Sequence, residues 1–341
     1  MATPVSPSPT LVPTADRLPQ VLPTERLAAS GKPVRELRDG LRRINDLGNV
    51  WALGLTWVQA AVTIGFALVV GHPLAWVVAW LLMGPVHARF AILMHEAAHK
   101  LLFTSKRAND WVGAWLAAYP NLTPMSIYRR SHFAHHRDEF GPDEPDLAFY
   151  EGYPTSAATL RRRLWRDLRG NSGRKNLRVL IDVARNESGF GVARRIVVTQ
   201  AALFVVLSIV GVAVAGWVGL ATYPVLWLGS WMTVWKVINR LRSLAEHGGM
   251  TRSGDRRQTT HNIEQSLLAR FWVVPFNTGW HLAHHVDMGI PWRNLPRFHD
   301  ELVTAGYVTE ELTHDSYIAF WRSLIGCWVH RSRRNPRSSC F

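Results

Sequence analysis

Apolar positions are unevenly spread along this chain. From Leu47 to Ala88 there are 42 consecutive residues without Asp, Glu, Lys or Arg, and from Ile196 to Trp235 there are another 40. A helix on a water-soluble domain turns a polar face to solvent, so uncharged runs of this length exclude an ordinary soluble globular protein. A helix needs about 20 apolar residues to cross the hydrocarbon of a bilayer. Each block is therefore two crossings long, with a break near its middle: Gly71-His72-Pro73 in the first and Gly216 to Pro224 in the second. The pattern predicts an all-α integral membrane protein. It has four transmembrane helices in two hairpins, at about 50–70, 74–94, 196–216 and 221–241, and a cytosolic helical cap.

The joining turns of both hairpins carry no charge. The opposite ends carry Arg38, Arg42 and Arg43, then Lys100, Lys106 and Arg107, then Arg194 and Arg195, and finally Lys236, Arg240 and Arg242. Basic residues stay on the cytoplasmic side, so both termini and the middle segment are expected there, in a cell (inner) membrane. Trp111–Tyr128 is 18 uncharged residues interrupted by Pro120, Asn121 and Pro124. It reads as a re-entrant or interfacial segment that returns to the side it left. Residues 1–46 hold seven of the nineteen prolines and read as a disordered cytosolic tail, with a surface helix expected over Val34–Asp46. Residues 47–310 form the membrane domain and 311–341 a basic C-terminal tail.

Charge and composition refine this reading. The net charge of +14 would suit nucleic acid or anionic lipid. The basic residues flank the spans and no nucleic-acid-binding motif occurs, so lipid is the expected partner and nucleic acid is not. Residues 161–195 carry a net +8 and read as basic amphipathic helix on lipid headgroups. Two cysteines, Cys327 and Cys340, exclude a disulfide scaffold, a cysteine zinc module and an iron–sulfur cluster.

Fifteen histidines are the remaining anomaly. Eight of them form three clusters: His95-Glu96-Ala97-Ala98-His99, His132-Phe133-Ala134-His135-His136 and His281-Leu282-Ala283-His284-His285. Spacings of three and four place imidazoles on one helix face. Imidazole ligates iron, copper, nickel and zinc, and eight of them suffice for two metal ions, four to each. All three clusters fall at or beyond the predicted cytosolic ends of spans. A metal transporter would instead keep its ionisable residues within the spans.

This order of HxxxH, HxxHH and HxxHH around two hairpins resembles the membrane-bound fatty acid desaturases and related hydroxylases, over about residues 50–310. Pro145-Asp146, Ala245-Glu246-His247 and Pro291-Trp292-Arg293-Asn294-Leu295-Pro296-Arg297 add to the likeness. The resemblance implies two iron ions held by His95, His99, His132, His135, His136, His281, His284 and His285, with His247 as a ninth ligand. It implies O₂ as co-substrate and an acyl lipid, acyl-carrier-protein or acyl-CoA substrate. No HPGG-like haem motif occurs, so electrons are expected from a separate ferredoxin, rubredoxin or cytochrome b5-type donor with its reductase. His261 and His299 are the other candidates for the ninth position; in some members an Asn four residues before that histidine holds a metal-bound water, and here the position is Ser243. Glu96, Asp146, Glu246, Asn277 and His299 are expected to support the ligands. Desaturation is the reading preferred to hydroxylation on the same scaffold. Redox-active iron with O₂ can attack an unactivated C–H bond, whereas zinc has no redox chemistry. The first cluster also matches HExxH, the motif of a zinc metalloprotease with Glu96 as base, but that reading leaves most of the other histidines without a task.

Overall fold

The computed structural model describes residues 10–325, 327–332 and 335–340, with side chains through residue 325 except at 187 and 188. The chain is mostly helical with very little strand. Among the described residues, three helices are long and apolar enough to cross a membrane: Asp46–Val70, Pro73–Ala98 and the run Gly189–His247. The first begins where the Asn45 side chain accepts from the Gly48 amide and ends at Gly71, whose φ of 65° only glycine adopts cheaply. The second starts with Pro73 in its first turn, where a missing N–H costs nothing. It runs beyond the uncharged block to Ala98, through Arg89, whose guanidinium donates to the Phe271 carbonyl at 3.3 Å.

The second uncharged block lies within one run of successive helical segments, Gly189–His247, 59 residues long, that passes through the break at Gly216. Glu187–Ala215 is α-helix, Gly216–Ala221 tightens to 3-10, Thr222–Gly229 widens to π, a short α-turn covers Ser230–Met232, and α-helix resumes at Val234–His247. Gly216 has a φ of 62°, and the chain doubles back there. A Cβ on Gly211 would lie 2.3 Å from the Gly219 carbonyl oxygen, so the two limbs meet backbone to backbone. Farther along, the Tyr223 hydroxyl donates to Gln200 at 2.9 Å.

The segment 111–128 folds into the bundle and returns. Its bend leaves carbonyls unpaired, a heavy cost away from water, and donors from the long helices meet them. Gln200 donates to Tyr119 at 2.7 Å, Trp227 to Pro120 at 3.1 Å and Trp231 to Asn121 at 2.9 Å. His87 belongs to this support, bonded to the Asn121 side chain and the Trp227 carbonyl.

Two segments expected to be tails are packed against the rest of the described fold. In the Pro-rich leader, Val21, Leu27, Leu37 and Leu41 are buried, Arg26 pairs with Glu301 and Arg42 with Asp287. A few well-spaced apolar residues suffice to dock a segment that composition alone marks as disordered. Beyond residue 310, Thr313–His314 pairs in parallel with Asn262–Ile263, and the helix Tyr317–Ser323 buries Tyr317 and Phe320. Residues 1–9, and the side chains beyond 325, lie outside the described residues.

The Gly211–Gly219 contact predicts that Gly211→Ala lowers the thermal unfolding midpoint of the detergent-solubilised protein, as overpacking costs typically about 1–3 kcal/mol. Gly54→Ala, which meets nothing within 4 Å, leaves the midpoint unchanged or raised.

Candidate metal centre

The three histidine clusters are boxes one (His95–His99), two (His132–His136) and three (His281–His285). Box one ends the Pro73–Ala98 helix, and the chain caps that end with polar side chains. Asn109 donates to the Ala97 carbonyl at 2.9 Å. Arg129, from the helix Met125–Arg137, donates to Ala97 and Ala98 at 2.8 and 3.0 Å. A cation on the carbonyl end of a helix is favourable, and here it ties the helix of box two to that of box one. Box three occupies the short helix His281–Val286.

All nine expected ligand histidines are buried, and they fall into two groups. His95, His99, His132, His136 and His284 form one; His135, His247, His281 and His285 form the other. The eight box histidines thus divide five and three, not four and four, and His247 joins the smaller set. The helical spacing explains the division. In box two the i, i+4 pair His132/His136 enters the first group while His135, rotated about 100° from its neighbour, enters the second. Box three does the converse: His281 and His285 go to the second group and His284 to the first. Each HH doublet therefore sends one ring to either side.

Within the groups the Nε2 atoms face one another. His99 and His132 are 2.8 Å apart, His132 and His136 3.1 Å, His95 and His284 3.1 Å, and His136 and His284 3.1 Å. In the second group, His247 and His281 are 3.2 Å apart and His281 and His285 3.0 Å. A neutral imidazole has one N–H to donate, and on several of these rings it is held by the outward Nδ1. His135 Nδ1 meets Glu144 at 3.0 Å, His285 Nδ1 meets Glu139 at 2.5 Å and His247 Nδ1 meets the Thr259 carbonyl at 2.9 Å. These bonds select the tautomer whose Nε2 lone pair points inward. Converging lone pairs without protons between them repel, and a cation removes the repulsion. The donor set therefore fits two metal ions.

Burial, and after it the neighbouring imidazoles, push His132, His136, His281, His284 and His285 well below the ordinary histidine range. These rings stay neutral at physiological pH, the form that binds metal. His135 differs: burial opposes its charge, but the bond to Glu144 and that carboxylate's field outweigh it and raise the value. Glu144 is pulled down in turn; burial would raise it, and His135 overcomes that.

The supporting residues differ in part from expectation. Glu144 and Glu139, which the sequence reading passed over, hold the Nδ1 atoms of His135 and His285. Glu139 is also paired with Arg256. An acidic run directly after box two, from Asp138 to Asp146, was the available signal. Asp146 lies in the same group as His135 and Glu144. Glu96 accepts from the Trp292 amide at 3.2 Å and stands 3.5 Å from His95 Nδ1; Glu246 stands 3.5 Å from His281 Nδ1 and accepts from Arg242. Asn277 and His299 do not reach the imidazole groups: Asn277 accepts from Arg270, and His299 stacks on Trp280 at 3.8 Å. His261 bonds the Gly248 carbonyl at 2.7 Å and packs on His314 and Phe320, outside both groups.

The histidines stand between two voids. A cavity of about 450 Å³ reaches His95, His132, His135, His247 and His281. A cleft of about 810 Å³ on another side reaches His99, His136 and His285, under Lys32, Arg38, Arg42 and Arg256.

The described chain thus combines helices long and apolar enough to cross a membrane with two buried imidazole groups that could each hold a metal ion. The model of the fatty acid desaturase family matches residues 71–316, and the chain belongs to that family. It is 26% identical over 225 residues to the dihydrorhizobitoxine desaturase of Bradyrhizobium elkanii, covering 62% of this chain and 63% of that protein. It is 34% identical over 105 residues to the Delta(12) fatty acid desaturases of Mortierella isabellina and Mortierella alpina, covering 29% of this chain and 25% of each. The chain thus matches less than two thirds of the length of these relatives.

Two outcomes test the centre. His247→Ala is expected to lower the metal bound per chain by about half, because the second group falls to three imidazoles, while His261→Ala leaves it unchanged; metal analysis of the purified proteins decides. Glu139→Gln, which weakens the hold on His285, is expected to lower metal affinity about 10–100-fold in chelator competition.

Proposed function

We propose that the chain is a multi-pass membrane desaturase that holds two iron ions among its nine histidines. It uses O₂ and electrons from a separate donor to place a double bond in an acyl chain. The observation that supports this best is the division of nine buried imidazoles into two adjacent groups facing one cavity. Removing two hydrogens from neighbouring methylenes while O₂ becomes two waters requires two further electrons and two protons, hence the donor. Bound iron would supply the oxidising power that no side chain has.

The chain's own residues position and exclude. His95, His99, His132, His136 and His284 would hold one ion, and His135, His247, His281 and His285 the other. Glu139, Glu144, Glu246 and Glu96 orient the rings. The substrate is assigned to the cavity beside His95, His132, His135, His247 and His281. The basic cleft beside His99, His136 and His285 suits an acidic ferredoxin, rubredoxin or cytochrome b5-type carrier. We read the reversal at Gly216 as making the 59-residue run two passes, giving four spans with both termini and the site at the cytoplasmic face of the inner membrane. The curated relatives are named as desaturases, and no observation favours hydroxylation over that. A protease role suits the geometry less, because the Glu96 carboxylate is engaged by the Trp292 amide.

Lipid mass spectrometry after expression in a host lacking the gene is expected to show a product lighter by two hydrogens. A product heavier by one oxygen would make the protein a hydroxylase. The purified protein is expected to carry iron at two ions per chain; stoichiometric zinc in its place would refute the assignment.

A further inference from the structure

The 450 Å³ cavity has an unusual wall for a site that is to take an alkyl chain. One side is a continuous polar stripe of the helix Val234–His247: Lys236, Asn239, Arg242, Ser243, Glu246 and His247 all line it. Residues three, four and seven apart share a helix face, so the stripe runs along the helix towards the imidazoles. Lys236 to His247 is eleven residues, about 16 Å of helix.

The two cations of this stripe are not equivalent. Arg242 is neutralised by Glu246 at 2.9 Å. Lys236 is only 9% exposed and has no ion pair among the described residues. Its ammonium sits 3.7 Å above the Trp231 ring. With the Asn176 amide turned to suit, it also donates to that oxygen at 3.2 Å. The carboxylate whose field reaches it, Asp167, is already bonded by Arg240 and Ser172. An unpaired buried ammonium is costly, and a protein retains one cheaply only if a counter-charge arrives. The cavity supplies the place for that counter-charge. Its other wall beyond Lys236 is Asn176, Val179 and Val183 of the helix Asn171–Arg185, with Val179 exposed at the rim. A ligand can therefore enter with an apolar body and a charged end.

We propose that Lys236 is the anchor for an anionic head group on the molecule that fills this cavity, a carboxylate or a phosphate, and that the helix face from Lys236 to His247 sets the span between that head and the imidazoles. It rests on the desaturase reading only for calling this molecule the substrate. The anion distinguishes the ligand from a neutral ester or amide of the same chain length. Placed this way, the head would select which part of the chain lies beside the metal groups, by distance and not by any feature of the chain itself.

Equilibrium binding of tritiated palmitate to the full-length protein in phosphatidylcholine nanodiscs tests this, with displacement by unlabelled palmitate, methyl palmitate, phosphatidate and diacylglycerol. An anionic competitor is expected to displace at least about ten-fold more strongly than its neutral counterpart, as loss of the partner of a buried charge requires. Palmitate outperforming methyl palmitate assigns a carboxylate; phosphatidate outperforming both palmitate and diacylglycerol assigns a phosphate. Lys236→Met should abolish the preference and Lys236→Arg should keep most of it. Equal displacement by charged and neutral ligands in the unmutated protein overturns the proposal, as does an undiminished preference in Lys236→Met. No turnover is involved, so absence of a desaturated product together with Lys236-dependent binding would refute the desaturase reading and leave the anchor standing.

Discussion

Nine buried imidazoles gathered into two groups, with the Nδ1 atoms of His135, His247 and His285 held by acceptors on the outside, form the arrangement on which this molecule turns. Facing lone pairs repel, and burial removes the water that would screen them. Such a group is stable only around positive charge, and protonating the rings is opposed by the same burial. A metal cation meets the requirement without a proton. The surrounding carboxylates follow from this: Glu139 and Glu144 hold the Nδ1 atoms of His285 and His135 and fix their tautomers, while Asp146, Glu246 and Glu96 stand close by, where they can balance the charge of two ions.

The scaffold has to bring four separate stretches of chain to that point. The Pro73–Ala98 helix delivers two rings from its last turn, and Arg129 fastens box two against the same end. Between them the chain makes a detour through residues 111–128. The detour is tolerated because its bent backbone is met by the side chains of Gln200, Trp227 and Trp231. Box three arrives from the far end of the chain on a helix of six residues, too short to be stable alone. It is held by its neighbours: Glu139 on His285, Trp280 stacked against His299, and Arg42 of the leader on Asp287.

A second consequence is separation of access. Because each histidine doublet points its two rings to different groups, the cluster forms a partition between the cavity and the basic cleft. One side is lined by the helix Val234–His247 and the rim of an amphipathic helix; the other lies under the leader and the cap. The reaction proposed here, which joins a lipid chain, O₂ and an electron carrier, would benefit from such a partition, since a bulky carrier and a bulky substrate need not share one opening.

The sequence by itself determined what depends on neighbours within a helix. Uncharged runs of 42 and 40 residues made the protein a membrane protein, and the i, i+3, i+4 spacing put the histidines of each box on one helix. The place of His247, within a recognisable tripeptide, was legible for the same reason. What spacing could not decide was how the rings are shared: a doublet offers two directions, and only packed helices reveal that the boxes divide five and three. Nor could it find Glu139 and Glu144, whose partners lie up to 146 residues away, or the docking of the leader, where Leu27 and Leu41 are buried despite a disordered-looking composition. The unpaired Lys236 appeared in the sequence as one more basic residue at a span end. Only tertiary structure showed that Asp167 and Glu246 are already engaged by Arg240 and Arg242, because pairing of charges is settled by three-dimensional distance and not by order along the chain.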